Sequence, residues 1–273
     1  MGKSALALGI ALSVACGSIA LGKIQVEKGE VLYLALEDGE RRLQDRIAKI
    51  LMTTEYPDHF YYETEWPNLE QGGLLAIEEW LKAHQQARLI VVDTLAKVRP
   101  PQHFGESIYD RDYNSVQGFK RLAETYRVSI LIIHHTRKAD AIDAMETISG
   151  SFGLTGGVDG TLVLKRERGK ADAVLNISGR DVEEKEMAFQ FKFPCWELLG
   201  NAEEFRLSQE RQTIIVLLKE NGNPMSPKEM QEALETKGIE RTINSVKLLL
   251  SRMSRNGEIR CFERGKYLLS QKP

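Results

Sequence analysis

The sequence predicts a doubly wound α/β domain with a mainly parallel sheet, followed by a small domain of helices and one hairpin. Three observations support this prediction. Apolar runs alternate with amphipathic stretches through about the first 200 residues, and the first runs are continuously apolar. Continuous runs are typical of strands buried on both faces of a parallel sheet, and the alternation is typical of doubly wound folds. Near residue 205 the pattern changes to amphipathic helices followed by one short hairpin.

The predicted elements of the first domain follow one another in order. The predicted strands are Glu30–Leu36, Leu89–Asp93, Ser129–His134, Thr161–Lys165, Ala173–Gly179 and Met187–Phe193. The predicted helices are Ser4–Ala20, Glu40–Met52, Leu74–Gln86 and Asp112–Tyr126. Because helices separate the first three strands, we expect these strands to be parallel, whereas the last two are expected to form a hairpin.

Composition places the chain among ordinary globular proteins. Hydrophobic residues make up 42% and charged residues 28% of 273 residues, and the formal net charge is −2. No global basic field therefore attracts nucleic acid, and any DNA contact is expected from a local patch or from the lining of an assembled ring. Cys16, Cys195 and Cys261 lack metal-ligand spacing and are interpreted as reduced thiols of a cytoplasmic protein.

An apolar segment near the start has two interpretations. Residues 5–21 are almost wholly apolar and follow Lys3, as in a signal peptide. The segment is short for a membrane span and contains two glycines and two serines. The chain then continues directly into GKIQVEKGEVLYLALEDGE, which contains a predicted strand of the α/β domain, whereas a leader should end in a processing site. We therefore predict a buried helix.

Residues 205–273 predict three helices and a terminal hairpin. Ser226 and Pro227 are a typical N-cap and first residue of the second helix, and a third helix is expected over Glu240–Asn256. The hairpin is expected to turn at Arg264-Gly265. This order resembles a winged helix, a variant of the helix-turn-helix modules that place one helix in the major groove of DNA.

The first chemical motif is Gly2-Lys3-Ser4, directly ahead of a predicted helix. It matches the end of the phosphate-binding loop G-x-x-x-x-G-K-[ST]. In such loops backbone N–H groups hold the phosphates, the lysine contacts the β- and γ-phosphates, and the hydroxyl is a ligand of Mg²⁺. The tripeptide alone is weak evidence, and its value depends on the motifs that follow it.

Two carboxylates end predicted strands of the same sheet. Asp93 ends the apolar run LIVVD, where a P-loop ATPase carries a Mg²⁺-binding aspartate; the alternative is a core strand that ends in an Asx turn. Thr94 occupies the position where many such ATPases have a catalytic glutamate, so the carboxylate that orients water must come from elsewhere. Glu37, which follows VLYLAL, is the candidate, although a lone strand-terminal glutamate is more often a solvated turn residue.

Three further features lie downstream. His134 and His135 end SILIIHH, where a polar side chain can contact the γ-phosphate as a sensor, or where both histidines are structural. The Gly-, Ser- and Thr-rich stretch 140–160 predicts a mobile loop that lines a central channel. Arg180, at a strand end, is a candidate arginine finger for a neighbouring subunit, or it pairs with Asp181 or Glu183 on the surface.

The chain resembles the plasmid RepA-type hexameric replicative helicases and, more broadly, the RecA/DnaB-like P-loop ATPases (AAA_25-like). The resemblance covers about residues 1–200 and rests on the motifs GKS, VLYLALEDGERRLQDRI, LIVVDT, LIIHHTRK, SGSFGLTGGVDG and ISGRDV in this order. It implies a RecA-like fold, with ATP and Mg²⁺ as cofactors. It also implies a cytoplasmic homo-hexamer whose partner is DNA, single-stranded in the ring channel, with no membrane partner.

The resemblance implies which residues bind the cofactors. Gly2, Lys3 and Ser4 would hold the nucleotide together with His134, and Ser4 and Asp93 would hold the metal.

The resemblance also implies catalytic roles. Glu37 would be the catalytic carboxylate, Asp93 the metal-binding aspartate, His135 the preferred sensor and Arg180 the finger that acts in trans.

The chain departs from these relatives at its start. They carry a strand and the first half of the phosphate-binding loop ahead of this point, so Met1 is interpreted as an internal methionine. Without that strand the sheet loses a central member, and several phosphate-binding N–H groups are lost with it. We therefore expect the chain as printed to bind ATP poorly, and a restored N-terminus to rescue binding.

Three functions compete at this point. The first is an ATP-driven DNA helicase or translocase of plasmid, phage or mobile-element replication, and the second is a RecA-like ATPase that remodels protein–DNA complexes without unwinding. The third is a non-catalytic DNA-binding regulator on a degenerate ATPase fold. Its support is the missing half of the phosphate-binding loop together with the predicted winged helix. Basic residues could form a DNA-binding face there, but Glu229, Glu232 and Glu235 are interleaved with them, and mixed charge is usually a solvated helix surface. These basic residues are Lys228, Arg241, Lys247, Arg252 and Arg255.

Overall fold

The computed structural model describes residues 2–101, 104–135, 152–166, 172–263 and 265–270. The chain divides into two compact units, Met1–Asn201 and Ala202–Pro273. In chain order, the elements of the first unit are α1 (Gly2–Cys16), β1 (Ile19–Ala20), β2 (Ile24–Gln25), β3 (Glu30–Ala35), α2 (Glu40–Leu51), β4 (Phe60–Glu63), α3 (Leu74–Ala83), β5 (Ala87–Asp93), α4 (Leu95–Val98), α5 (Ile108–Tyr126), β6 (Ser129–Ile132), α6 (Phe152–Gly157), β7 (Gly160–Arg166), β8 (Asp172–Gly179), β9 (Lys185–Lys192) and β10 (Cys195–Asn201).

A four-stranded parallel sheet forms the centre of the first unit, in the order β4-β3-β5-β6. Alternate side chains of β3 enter two different hydrophobic clusters. Tyr33 packs in a cluster with α1 and α2, whereas Leu34 packs in a cluster with α3 and α5. Helices therefore cover both faces of the sheet, and the predicted doubly wound α/β architecture is confirmed.

The apolar segment near the start forms α1, a helix packed into the core. Leu8, Ala11 and Leu12 are buried against the parallel sheet, and Leu6 packs with the second sheet of this unit. The helix ends at Cys16 and not at Ala20 as predicted, because Gly17 adopts a φ of +66° that L-residues disfavour. Within the described ranges, no helix combines the length and the apolar character that a membrane span requires.

The second sheet of this unit is antiparallel, in the order β10-β9-β8-β7. The predicted hairpin corresponds to β8 and β9, whereas the sequence analysis missed β4 and β10. Of the expected loop 140–160, residues 140–151 lie outside the described residues. The described part was predicted wrongly, because Phe152–Gly157 forms the short helix α6 in spite of its glycines.

The second unit consists of three helices and a two-stranded antiparallel hairpin. Its elements are α7 (Ala202–Asn221), α8 (Pro227–Thr236), α9 (Ile243–Arg255), β11 (Ile259–Glu263) and β12 (Lys266–Leu269). Ser226 caps α8 as predicted: its side chain accepts from the N–H of Glu229, and the Glu229 carboxylate accepts from the N–H of Ser226 in return. One hydrophobic cluster joins all three helices to the hairpin.

Candidate nucleotide-binding site

The ends of β3 and β5 bring the two predicted carboxylates to one edge of the parallel sheet. Ala35 and Asp93 are register partners, and the N–H of Leu36 donates to the carbonyl of Asp93 at 2.7 Å. Glu37 follows one residue later. In open α/β sheets, ligands bind at this carboxyl edge of the strands, so the edge is the candidate ligand-binding site.

Asp93 is buried, with 3% of its surface exposed. Burial raises the pKa of its carboxyl group, against hydrogen bonds from the side chains of Ser4 and Tyr33 that lower it. Its Oδ1 atom is buried and has no hydrogen-bond partner among the described residues. A buried carboxylate oxygen without a partner is costly unless a cation or water joins it, so Asp93 and the Ser4 hydroxyl fit a Mg²⁺ site of oxygen ligands.

Lys3 lies in the first turn of α1, next to these groups. Burial lowers the pKa of its amine, while the charges of Asp93 and Glu37 raise it. The indole N–H of Trp196 donates to the carbonyl of Gly2 at 2.9 Å and fixes the start of the helix. A helix N-terminus offers unpaired N–H groups and a positive partial charge, and both favour phosphate.

Glu37 is held by two side chains from neighbouring elements. Oγ1 of Thr94 donates to its Oε1 at 3.0 Å, and Nε2 of His135 lies 3.2 Å from Oε1 and 3.3 Å from Oε2. Burial raises the pKa of the Glu37 carboxyl, but the hydrogen bonds from Thr94 and His135 outweigh it, and the pKa lies below its usual value. The carboxylate is therefore ionised and oriented.

The two histidines take different positions. His135 reaches Glu37, whereas His134 lines a cleft beside β6. Both follow the end of β6, which is shorter than predicted and stops at Ile132.

Arg180 follows β8 and is hydrogen-bonded to α6 and to the connection between α6 and β7. Its guanidinium donates to the carbonyl of Gly156 at 3.0 Å, and its N–H donates to the carbonyl of Asp159 at 3.0 Å. Glu183, one of the acidic residues considered as its partner, lies 3.4 Å from Lys185 instead. Arg180 is thus placed apart from the hydrogen-bonded group around Glu37, and its role as a finger stays a prediction.

A cleft of about 580 Å³ lies between the parallel and the antiparallel sheet. Among the described strands, β6 pairs only with β5 and β7 only with β8, so the facing edge of each is open. Apolar residues of α1, α5, β6 and β7 line the cleft, and Lys3 lines it as well.

The roles of two residues of this site, Tyr33 and Thr94, were not predicted from the sequence. Tyr33, whose hydroxyl contacts Asp93, was seen only as one residue of an apolar strand. The sequence showed that Thr94 replaces a catalytic glutamate, but it did not indicate that the Thr94 hydroxyl donates to Glu37. A polar atom inside or just after an apolar strand was the available signal for both.

The fold and the site define a RecA-like P-loop NTPase. The model of the AAA domain family AAA_25 matches residues 1–141, which is more than half of the 273 residues. The chain belongs to this family. A search of curated proteins gives no match.

One solved structure with a TM-score above 0.5 is similar to this chain in fold. A DnaB-like replicative helicase, whose interactions with primase are described with its structure, aligns with a TM-score of 0.54 at 13% identity over 71% of this chain and 53% of that chain. The chain thus spans about half the length of that helicase. The RadB recombinase (TM-score 0.49, 18% identity, 72% of this chain and 84% of that chain) aligns less well. So does the flagellar accessory protein FlaH from Methanocaldococcus jannaschii (TM-score 0.41, 12% identity, 74% of this chain and 83% of that chain).

Proposed function

We propose that this protein is an ATP-dependent DNA helicase or DNA translocase of RepA/DnaB-like type. It would hydrolyse ATP with Mg²⁺ and act in plasmid, phage or mobile-element replication. The observation that supports the proposal most is the convergence at one sheet edge of Lys3, a buried Asp93 with an orphaned oxygen, and Glu37 held by Thr94 and His135. Each group matches a different requirement of phosphoryl transfer to water.

The roles follow from position and charge. Lys3 and the N-terminus of α1 would bind the phosphates, and the Ser4 hydroxyl and Asp93 would hold the metal. When bound, Mg²⁺ neutralises charge on the phosphate oxygens. Glu37 would accept a hydrogen bond from the attacking water and orient it toward the γ-phosphate, because its carboxylate is ionised and fixed.

His135 is proposed as the sensor. Its ring is bonded to Glu37, and 60% of its side chain is exposed. A γ-phosphate next to Glu37 would compete for this ring nitrogen. Loss of the phosphate would return His135 to Glu37, and this exchange of partners would report hydrolysis.

A cytoplasmic homo-hexamer with single-stranded DNA in its channel fits this proposal. The net charge of −2 provides no global attraction for DNA, so contacts must be concentrated in a ring lining. Arg180 is proposed as the finger that acts in a neighbouring subunit. Its exposed guanidinium is held by one carbonyl and has further donors to offer.

The second unit is proposed to be a winged helix that binds double-stranded DNA or a protein partner. Its order of three helices and a hairpin supports this. Lys247 and Arg255 lie on the exposed side of α9, whose buried side carries Leu250. Arg241 is a poor candidate for phosphate contact, because it donates to both carboxylate oxygens of the buried Glu210 at 2.8 Å.

Two alternatives share parts of this site. An ATPase that remodels protein–DNA complexes would hydrolyse ATP without separating strands, so a duplex-unwinding assay distinguishes it. A non-catalytic regulator would bind DNA without hydrolysing ATP. The hydrogen bonds from Thr94 and His135 that hold Glu37 argue against it, because a site that has lost catalysis is not expected to keep its carboxylate oriented.

Phosphate release tests the proposal. The full protein, with any segment that its gene encodes ahead of Met1, is assayed with ATP and Mg²⁺, with and without DNA. E37Q is expected to keep nucleotide binding and lose hydrolysis by about a hundredfold or more, whereas E79Q, at an exposed site on α3, serves as the matched control. Equal rates for E37Q and the unmodified protein would exclude the proposed mechanism.

A further inference from the structure

Tyr33 carries a hydroxyl group into the apolar interior. It lies in the middle of β3 with 2% of its surface exposed, in the hydrophobic cluster formed with α1 and α2. Its ring packs near that of Phe60 at 6.1 Å between centroids. Phenylalanine would satisfy this packing equally well, and burying a hydroxyl is unfavourable unless it finds a partner. The hydroxyl therefore has a polar role.

The partner is the predicted metal-binding aspartate. The Tyr33 hydroxyl donates to Oδ2 of Asp93 at 3.0 Å, and it lies 3.4 Å from the carbonyl of Ser4. A hydroxyl has one proton to donate, and the shorter, charge-assisted contact to Asp93 is the stronger one. One carboxylate oxygen of Asp93 is thereby occupied.

The other oxygen is left for a ligand. Oδ1 of Asp93 is buried and lacks a hydrogen-bond partner within the described residues. With Oδ2 engaged by Tyr33, rotation of the carboxylate about its last bond would break a buried hydrogen bond. Tyr33 therefore restricts which oxygen Asp93 presents, and it contacts the residue that carries the second metal-binding group, Ser4.

We propose that Tyr33 is a positioning residue for Mg²⁺: it fixes the Asp93 carboxylate so that Oδ1 faces the metal and its bound water. This inference rests on the proposed nucleotide site. Residues that orient a metal ligand typically contribute about 10- to 100-fold in metal affinity. The contribution is expected to be specific to the metal, because the polar contacts of the Tyr33 hydroxyl are to Asp93 and to the carbonyl of Ser4.

The test measures how much Mg²⁺ is needed for nucleotide binding, not how fast ATP is hydrolysed. A fluorescent ATP analogue at fixed concentration is titrated with MgCl₂ against the full protein and against Y33F. The half-saturating Mg²⁺ concentration is expected to rise about tenfold in Y33F, while nucleotide affinity in EDTA stays unchanged. Phenylalanine fills the same volume, and thermal unfolding in EDTA shows whether each variant is folded.

Two further variants make the test specific. Y62F removes a hydroxyl from the neighbouring strand β4, where Tyr62 contacts Gln44 and Glu40, and it should leave the Mg²⁺ titration unchanged. In the background of D93N, Y33F should have no additional effect, because the group that it orients is altered. If Y33F does not fold, the Mg²⁺ affinity of D93N is compared with that of the doubly substituted Y33F/D93N. A lower Mg²⁺ affinity in the double variant than in D93N overturns the proposal.

The outcomes separate this inference from the proposed function. Mg²⁺-dependent binding with the same half-saturation for Y33F and the unmodified protein overturns the role of Tyr33 and leaves the ATPase proposal intact. Absence of Mg²⁺-dependent nucleotide binding in the unmodified full protein overturns both.

Discussion

Oγ1 of Thr94 donates a hydrogen bond of 3.0 Å to Oε1 of Glu37, across 57 residues of sequence. The bond joins the carboxyl ends of two adjacent parallel strands, β3 and β5. Thr94 directly follows the predicted metal-binding Asp93, so two consecutive residues at the end of β5 have different roles. Asp93 is itself a ligand candidate, and Thr94 orients the carboxylate of the neighbouring strand.

Substitution of Thr94 should slow hydrolysis without weakening nucleotide binding. T94V keeps the shape of the side chain and removes the donor to Glu37. Hydrogen bonds to charged groups contribute ~1.5–3 kcal/mol, so kcat should fall by roughly tenfold or more. Steady-state phosphate release measures kcat, and T94S, which keeps the hydroxyl, should retain most of it. A T94V protein with unchanged kcat would contradict the positioning role.

The acid limb of the rate profile should move in the same variant. The pKa of Glu37 lies below its usual value of 4.5 because the bonds from Thr94 and His135 outweigh desolvation. A carboxyl group with a lowered pKa in the folded protein contributes stability above its unfolded pKa, and this contribution disappears as the pH falls through the folded value. T94V should raise the pKa of Glu37, so kcat/KM, measured from about pH 4 to pH 7, should decline at a higher pH than in the unmodified protein. An acid limb at the same pH in both proteins is the opposing result.

The ion pair between Glu210 and Arg241 should stabilise the second unit. Glu210 is 5% exposed, and Arg241 donates to both of its oxygens. R241A leaves a buried carboxylate without its cation, which costs about 3 kcal/mol. Hydrogen exchange of amides in α7 to α9 measures the loss, and R206A, at an exposed position of α7, is the matched control. Equal protection in R241A and R206A would show that the pair is dispensable.

DNA binding by the second unit should depend on the exposed side of α9. If Lys247 contacts a phosphate, K247A weakens binding and reduces the slope of log K against log salt concentration by about one. K219A, on α7, removes an equally exposed lysine as the control. Fluorescence anisotropy with duplex DNA at several salt concentrations gives the slope. If both variants keep the original slope, the unit is better explained as a protein-interaction module.

The sequence predicted those parts of the molecule that depend on short-range pattern. The apolar runs at Leu89–Asp93 and Glu30–Leu36 correspond to β5 and β3, because strands buried on both faces need continuous apolar residues. The capping box at Ser226 was visible for a similar reason, since its three-residue spacing is local. The candidate carboxylates followed from the rule that ligands bind at strand ends.

The remaining parts depend on contacts between distant residues. The segment Phe60–Glu63 became β4 because β3 offers it a parallel edge, although its residues are mixed in polarity. The bond of Tyr33 to Asp93 joins residues 60 positions apart, and nothing in either local pattern specifies it. Likewise, the selection of His135 and not His134 as the partner of Glu37 depends on where β6 ends.

The most direct test of the central claim is ATP hydrolysis by the longest in-frame product of this gene, measured as Mg²⁺-dependent phosphate release beside K3A and E37Q. We expect the unmodified protein to hydrolyse ATP, K3A to lose nucleotide binding, and E37Q to bind the nucleotide without hydrolysing it. Hydrolysis at the same rate in all three proteins would contradict the claim, because the activity would then arise outside the site formed by Lys3, Asp93 and Glu37.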